Sequence, residues 1–154
     1  MSFFLRAKSG MPSAEVFVLD THVWLDVAFG RSIRFATRVR RRLEAAANGG
    51  SLYVAAITPW EMAMLVRKGK VRVRGSVLDF VVGALRETRT AVSSLEPAIA
   101  VDAVDLPAWE HRDPADRLIV ASARFLDAVL VTRDGAILDY AMAARAVRVL
   151  DPGR

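Results

Sequence analysis

The sequence predicts an α/β fold with three layers, in which a central, mainly parallel sheet of four to five strands lies between helices. Two observations support this prediction. Short apolar runs rich in β-branched and aromatic residues recur along the chain, and segments with helical periodicity separate them. The 154 residues are enough for one domain and too few for two ordinary ones, and their hydrophobic fraction of 53% can supply a core.

The first half of the chain alternates strands with helices. The apolar run before Asp20 is typical of a buried strand, and Phe35, Val39 and Leu43 recur at helical spacing. Thr58 is the expected N-cap of the helix that contains Glu61. The predicted elements are a strand over 15–20, helices over 21–29 and 33–47, a strand over 52–57, and a helix from 58 to about 68.

The second half continues the same alternation. Asp113, followed by a proline, is the expected N-cap of the clearest helix in the sequence. The predicted elements are a helix over 77–86, a strand over 91–95, a helix over 97–104, a helix from 114 to about 126, a strand over 128–132, a helix over 134–140, and an edge strand over 146–150.

These elements predict a single domain over residues 15–154, preceded by a flexible lead-in over residues 1–14. Met11 is an alternative start within that lead-in. The apolar piece near the N-terminus has only three residues, and no segment offers the roughly 18 apolar residues of a membrane helix. We therefore expect a soluble, cytoplasmic protein without a membrane partner.

The composition restricts which metal sites are possible. The chain has no cysteine and two histidines, which excludes thiolate zinc sites and multi-histidine zinc sites. A bound cation would need carboxylate ligands, and hard oxygen ligands favour Mg²⁺ or Mn²⁺. Lys and Arg number 22 against 17 Asp and Glu, so the net charge of +5 favours a polyanionic partner.

Four acidic residues occupy positions that a parallel sheet would bring to one edge. Asp20 and Asp134 each end a predicted strand, and Glu61 and Asp116 each stand at the third position of a predicted helix. For the latter two, helix capping is an equally good explanation from spacing alone. Four converging carboxylates would repel one another, and a divalent cation would relieve that repulsion. The pattern therefore indicates a metal site.

Four segments carry a resemblance to a known family. They are LDTHVWLD (19–26), TPWEMAMLVRKGKV (58–71), HRDPADRLIVASA (111–123) and LVTRD (130–134). Their content and order resemble the PIN domain, and more narrowly the VapC-type toxins of bacterial toxin–antitoxin pairs. The resemblance extends from Val16 to Leu150, and it implies a PIN-like three-layer fold.

The resemblance also implies a function and a set of site residues. It makes Asp20, Glu61, Asp116 and Asp134 the catalytic, metal-binding acids of an endoribonuclease that uses Mg²⁺ or Mn²⁺ to activate water. Thr132 and Asp113 match supporting positions of the family. The implied partners are an RNA substrate and a VapB-like antitoxin.

Other residues allow more than one interpretation. A basic run formed by Arg67, Lys68, Lys70 and Arg72 is a candidate RNA contact, and a second run over 38–42 is a weaker one, although basic runs are more often solvated faces. His22 and His111 are more simply explained by local packing than by catalysis. Surplus apolar surface on helices 21–29 and 33–47 would suit an antitoxin or a homodimer.

Two other functions remain open from the sequence. A phosphoacceptor receiver domain also groups aspartates at strand ends, but it needs a lysine at the end of a late strand, where this chain has Asp134. A catalytically inactive PIN-like scaffold that only binds proteins is the stronger rival, and the four intact acids argue against it.

Overall fold

A computed structural model describes residues 14–154 of the chain. The predicted lead-in over residues 1–14 lies outside the described residues except for Ala14. The strands are β1 (Phe17–Leu19), β2 (Leu52–Ala55), β3 (Ala91–Ser93), β4 (Val129–Val131) and β5 (Arg148–Leu150). The helices are α1 (Thr21–Ala28), α2 (Thr37–Gly49), α3 (Thr58–Arg67), α4 (Val77–Glu87), α5 (Pro97–Val104), α6 (Pro114–Phe125) and α7 (Gly135–Ala144), with a short 3-10 helix at Ser32–Arg34.

The five strands form one parallel sheet in the order β3-β2-β1-β4-β5. Leu19, the last residue of β1, is in register with Val54 of β2 and Val131 of β4. All carboxyl ends of the strands therefore lie along one edge, where ligands collect in open α/β sheets. The predicted α/β class, the parallel sheet and the edge position of the last strand are confirmed.

Side chains that alternate along β1 build a core on each face of the sheet. Phe17 and Leu19 pack into the larger core with residues of α1, α2, α3 and α4. Val18, between them, packs into a second core with Ile119 of α6 and Ile137 of α7. Helices therefore cover both faces, and the predicted three-layer arrangement is confirmed.

The helix predicted over 33–47 begins later than expected. Ser32–Arg34 forms the separate 3-10 helix, and Phe35 has extended backbone angles (φ −75°, ψ 150°) that end it. The backbone N–H of Ala36 donates to the carbonyl oxygen of Pro152 at 2.8 Å. This long-range bond fixes the chain just before α2, so the helix starts at Thr37.

Of the surplus apolar surface predicted on residues 21–29 and 33–47, the structure leaves Phe29 and Ile33 exposed, whereas the apolar face of α2 packs into the protein's own core. Phe35, Val39 and Leu43 are each no more than 5% exposed. Other large exposed apolar side chains include Leu78, Val101, Val104 and Met142. Within residues 14–154, no helix is long and apolar enough to span a membrane.

Candidate metal centre

Asp20 forms the buried floor of the site. It follows β1 directly and is only 4% exposed. Its Oδ2 accepts a hydrogen bond of 2.6 Å from the hydroxyl of Thr132, which follows the neighbouring strand β4 and is fully buried. The same hydroxyl oxygen accepts the backbone N–H of Asp134 at 3.0 Å. Thr132 thus ties the first acid to the segment that carries the last one.

Glu61 approaches from the first turn of α3. Its Oε1 accepts a hydrogen bond of 2.6 Å from the hydroxyl of Thr21, in the first turn of α1. The hydroxyls of Thr21 and Thr58 are themselves 3.0 Å apart. The two helix starts are therefore joined through a small hydroxyl network that holds the Glu61 carboxylate against Thr21, the residue that follows Asp20.

This network explains why the predicted N-cap of α3 was wrong. The N-cap position is occupied by Ile57, and Thr58 lies inside the helix and is fully buried. Its hydroxyl is engaged with Thr21 rather than with the N–H groups of its own helix. A local capping pattern cannot show that a residue on α1 offers a competing partner.

Asp116 lies in the first turn of α6, beside two other candidate ligands. Its Oδ2 is 2.7 Å from Nε2 of His111. Asp113 caps the helix as predicted, since its Oδ1 accepts the backbone N–H of Ala115 at 2.9 Å. His111, Asp113 and Asp116 can each offer one ligand atom within 4.8 Å of the others.

Asp134 is the N-cap of α7. Its Oδ1 accepts the backbone N–H of Ile137 at 3.0 Å, and the residue is exposed. By contrast, Glu61 and Asp116 cap no helix within the described part of the chain. Helix capping therefore does not explain why carboxylates occur at those two positions.

Burial and mutual repulsion raise the pKa of three of these carboxyl groups. For Asp20, burial raises the pKa and the charge of Asp134 adds to the rise, while the hydrogen bond from Thr132 opposes it. For Glu61, burial again acts first, and the charges of Asp20 and Asp116 add to it. These repulsions are the ones expected of acids that lie close enough to affect one another's ionisation.

The pKa of Asp116 is raised in the same way. Burial is the main cause, the charges of Asp113, Asp134 and Asp20 add to it, and the hydrogen bond with His111 opposes it. A cluster whose members resist ionising together is stabilised by a divalent cation. The donors are nearly all carboxylate oxygens, which fit Mg²⁺ or Mn²⁺.

His111 packs locally, as expected from the sequence, and it also lies beside the candidate ligand Asp116. Its ring stacks on Trp109 with centroids 5.2 Å apart, and Trp109 stacks in turn on Tyr140 at 4.6 Å. Arg117 of α6 fixes the loop that carries Trp109 and His111. Its guanidinium donates to the carbonyl oxygens of His111 at 2.6 Å and Trp109 at 2.5 Å. The loop is thus fixed so that the imidazole faces Asp116.

The structure separates the two basic runs. In the run on α2, Arg42 pairs with Glu15 and Arg40 with Glu44, as expected for a solvated face. In the other run, Arg67 ends α3 and Lys70 lines a cavity near the acidic cluster. The residues predicted to contact RNA are all exposed, namely Arg67, Lys68, Lys70 and Arg72.

Comparisons with known proteins agree with this geometry. The sequence model of the PIN domain matches residues 17–142. The chain belongs to the PIN-domain family. All four acids lie within that matched range, and so does the hydroxyl network that holds two of them.

The resemblance to VapC-type PIN domains is also confirmed. The chain is 35% identical over 91 residues to Ribonuclease VapC22 of Mycobacterium tuberculosis (strain ATCC 25618 / H37Rv), an alignment that covers 59% of this chain and 68% of that relative. The PIN fold is similar to that of a chain in the crystal structure of VapBC2 from Rickettsia felis bound to a DNA fragment from their promoter. That similarity has a TM-score of 0.63 at 14% identity, covering 88% of this chain and 97% of the other.

Proposed function

We propose that this protein is a Mg²⁺- or Mn²⁺-dependent endoribonuclease and acts as the toxin of a VapBC-type toxin–antitoxin pair. The observation that carries the proposal is the acidic cluster on one edge of the sheet, where burial and mutual repulsion raise the pKa of Asp20, Glu61 and Asp116. The ribonuclease name of the VapC relative supports RNA as the substrate.

The four acids have different positions and therefore different proposed roles. Asp20, the most buried, would hold the cation from the floor of the site, and Asp116 and Asp134 would complete its ligands from two helix starts. Glu61 would add a fourth carboxylate from the first turn of α3. When bound, a divalent cation supplies activation of water and neutralisation of charge at the phosphodiester.

The neighbouring side chains keep these acids in place. Thr132 and Thr21 each donate a hydrogen bond of 2.6 Å to a carboxylate of the cluster, so they restrain the oxygen positions before any cation arrives. Asp113 fixes the start of α6 and would contribute from just outside the ligand shell. Such restraint matters because catalytic groups need their geometry held within a fraction of an ångström.

The remaining parts of the proposal concern partners and location. The structural neighbour is a VapBC complex, which supports a VapB-like antitoxin as the partner of this chain. We also propose a homodimer, for which the exposed apolar side chains Val101 and Val104 of α5 are available surface. We propose a cytoplasmic location because the proposed RNA substrate is found there.

Cleavage of RNA tests the proposal. The purified, partner-free protein is incubated with a pool of structured RNAs in Mn²⁺, in Mg²⁺ and in EDTA, beside Asp20→Asn and the exposed control Asp79→Asn. We expect cutting with either metal, none in EDTA, none by Asp20→Asn, and unchanged cutting by Asp79→Asn. Cutting by Asp20→Asn at the wild-type rate would contradict the proposal. No cutting and no metal binding by the wild type would leave an inactive PIN-like scaffold.

A further inference from the structure

A second site lies beside the acidic cluster and has the opposite charge. A cavity of about 370 Å³ is lined by Arg31, Lys70 and Arg133, together with His22 and Asp26. Three permanently cationic side chains face one carboxylate there, so the cavity carries net positive charge. Its volume lies within the range of about 300–1,000 Å³ that is usual for ligand sites in proteins.

The cavity is continuous with the acidic cluster along the chain. Arg133 directly precedes Asp134, and His22 stands two residues after Asp20. Since consecutive Cα atoms are about 3.8 Å apart, the cationic wall begins within one or two residues of the proposed metal ligands. The cavity lining therefore includes close chain neighbours of two proposed metal ligands.

Two of the arginines are held in place before any ligand binds. Asp26, whose side chain is 17% exposed, accepts from Nε of Arg31 at 2.8 Å and from Arg133. The guanidinium of Arg31 lies 5.1 Å from the ring centroid of Phe29, and that of Arg133 lies 5.7 Å from that of Phe35. Each guanidinium is thus paired with the carboxylate of Asp26 and lies over an aromatic ring.

This arrangement leaves donors free to bind an anion. An arginine has five N–H donors, and Asp26 can occupy only part of each fork. Among residues 14–154, Lys70 takes part in no ion pair. It lies in the loop after α3, whereas Arg31 follows α1 and Arg133 follows β4. Donors therefore converge on the cavity from three separate segments.

We propose that this cavity binds a backbone phosphate of the RNA that flanks the bond to be cleaved. The proposal rests on the proposed ribonuclease function and assigns to it a phosphate subsite, formed by Arg31, Lys70 and Arg133. Planar guanidinium groups suit the bidentate recognition of phosphate, and lysine adds a mobile point charge. Phosphate contacts of this kind fix the register of a nucleic acid without reading its sequence.

Binding without metal tests the subsite separately from catalysis. A fluorescent, single-stranded 2′-O-methyl RNA, which resists cleavage, is titrated in EDTA at several NaCl concentrations with the wild type, Arg133→Gln and Lys70→Gln. The matched control is Arg86→Gln. Arg86 is equally cationic and exposed. It lies five residues before β3, on the side of the amino ends of the strands, whereas the acidic cluster lies at their carboxyl ends.

Each subsite variant should lose one phosphate contact. For single strands, one contact contributes about 0.7 to the slope of log affinity against log salt, which corresponds to about a fourfold loss of affinity at roughly 0.15 M salt. Arg133→Gln and Lys70→Gln should show both changes, and Arg86→Gln should show neither. In cleavage assays with Mn²⁺, Lys70→Gln should raise KM at unchanged kcat, because it removes uniform binding of the substrate.

The outcomes separate this proposal from the proposed function. If the wild type cuts RNA but both subsite variants match Arg86→Gln, the subsite is refuted and the nuclease stands. If salt-sensitive RNA binding depends on Lys70 and Arg133 but no metal permits cutting, the cavity binds RNA phosphate, and both the nuclease and the placement of the cavity beside a cleaved bond are refuted. A wild type that binds no RNA would overturn the subsite. The same variants are also titrated with a fluorescent poly-glutamate. If Lys70→Gln loses binding to poly-glutamate but binds RNA as tightly as the wild type does, the phosphate subsite is refuted, because that result assigns the cavity to an acidic partner.

Discussion

The buried hydroxyl of Thr132 provides a sharp test of how the site is held together. In Thr132→Val, the shape of the side chain is kept and the hydroxyl is lost. Two hydrogen bonds disappear with it, the one of 2.6 Å to the Asp20 carboxylate and the one of 3.0 Å from the backbone N–H of Asp134. Because Asp20 is only 4% exposed, water cannot easily replace the lost donor.

The expected cost follows from these two contacts. A hydrogen bond to a charged group contributes about 1.5–3 kcal/mol, and an ordinary one contributes about 0.5–1.5 kcal/mol. Thr132→Val should therefore lower the free energy of unfolding by about 2–4 kcal/mol at pH 7. The control Thr132→Ser keeps the hydroxyl and removes one buried methyl group, which costs about 0.5–1.5 kcal/mol.

The assay is urea unfolding in EDTA, repeated at several pH values. Burial raises the pKa of Asp20, and the hydrogen bond from Thr132 opposes that rise. Without this bond, Asp20 of the valine variant accepts a proton more readily. The cost of Thr132→Val should therefore shrink as the pH falls through the raised pKa of Asp20. Equal stability of the valine and serine variants at pH 7 would refute this account of the site's floor.

Three further predictions follow from the same structure. His111→Ala should weaken Mn²⁺ binding about 10- to 100-fold by calorimetry, as expected when a residue that orients a ligand is lost. The exposed neighbour change Arg112→Ala should leave Mn²⁺ binding unchanged, and equal losses in both variants would contradict the role of His111. In EDTA, the free energy of unfolding should fall as the pH rises from about 4, because three folded carboxyl groups with raised pKa keep protons that the unfolded chain releases. Asp20→Asn should reduce that pH dependence, and an unchanged profile would show that its pKa is not raised. Leu43→Ala should cost about 2–5 kcal/mol in urea unfolding, since Leu43 is 5% exposed. Leu78→Ala, at 70% exposure, should change stability by less than about 0.5 kcal/mol, and similar costs would mean that the face of α2 is not in the core.

The fold class could be predicted because the strong signals are local and periodic. The apolar runs around Val18, Val54 and Leu130 are short and rich in residues that favour strands, and all three lie in the sheet. The alternation with helices then required a parallel arrangement, because parallel strands need a crossover between them. This order also predicts that Asp20 and Asp134 lie at the same edge of the sheet, where the carboxyl ends of the strands meet.

The errors arose where a distant partner decided the local structure. The start of α2 depends on the bond between Ala36 and Pro152, which are far apart in sequence. Threonine is a common N-cap residue, yet the hydroxyl of Thr58 binds Thr21 on another helix. The local packing expected of His111 is present as its stack on Trp109, but the sequence does not show that Trp109 stacks in turn on Tyr140, a distant residue of α7.

Direct measurement of Mn²⁺ binding tests the central proposal, that these carboxylates form a cation site. The metal-free wild type, Asp20→Asn and the exposed control Asp79→Asn are titrated with Mn²⁺ at pH 7, and free Mn²⁺ is followed by electron paramagnetic resonance. We expect saturable binding by the wild type and by Asp79→Asn, and its loss in Asp20→Asn. Binding by Asp20→Asn with wild-type affinity, or no saturable binding by the wild type, would contradict the proposed metal centre.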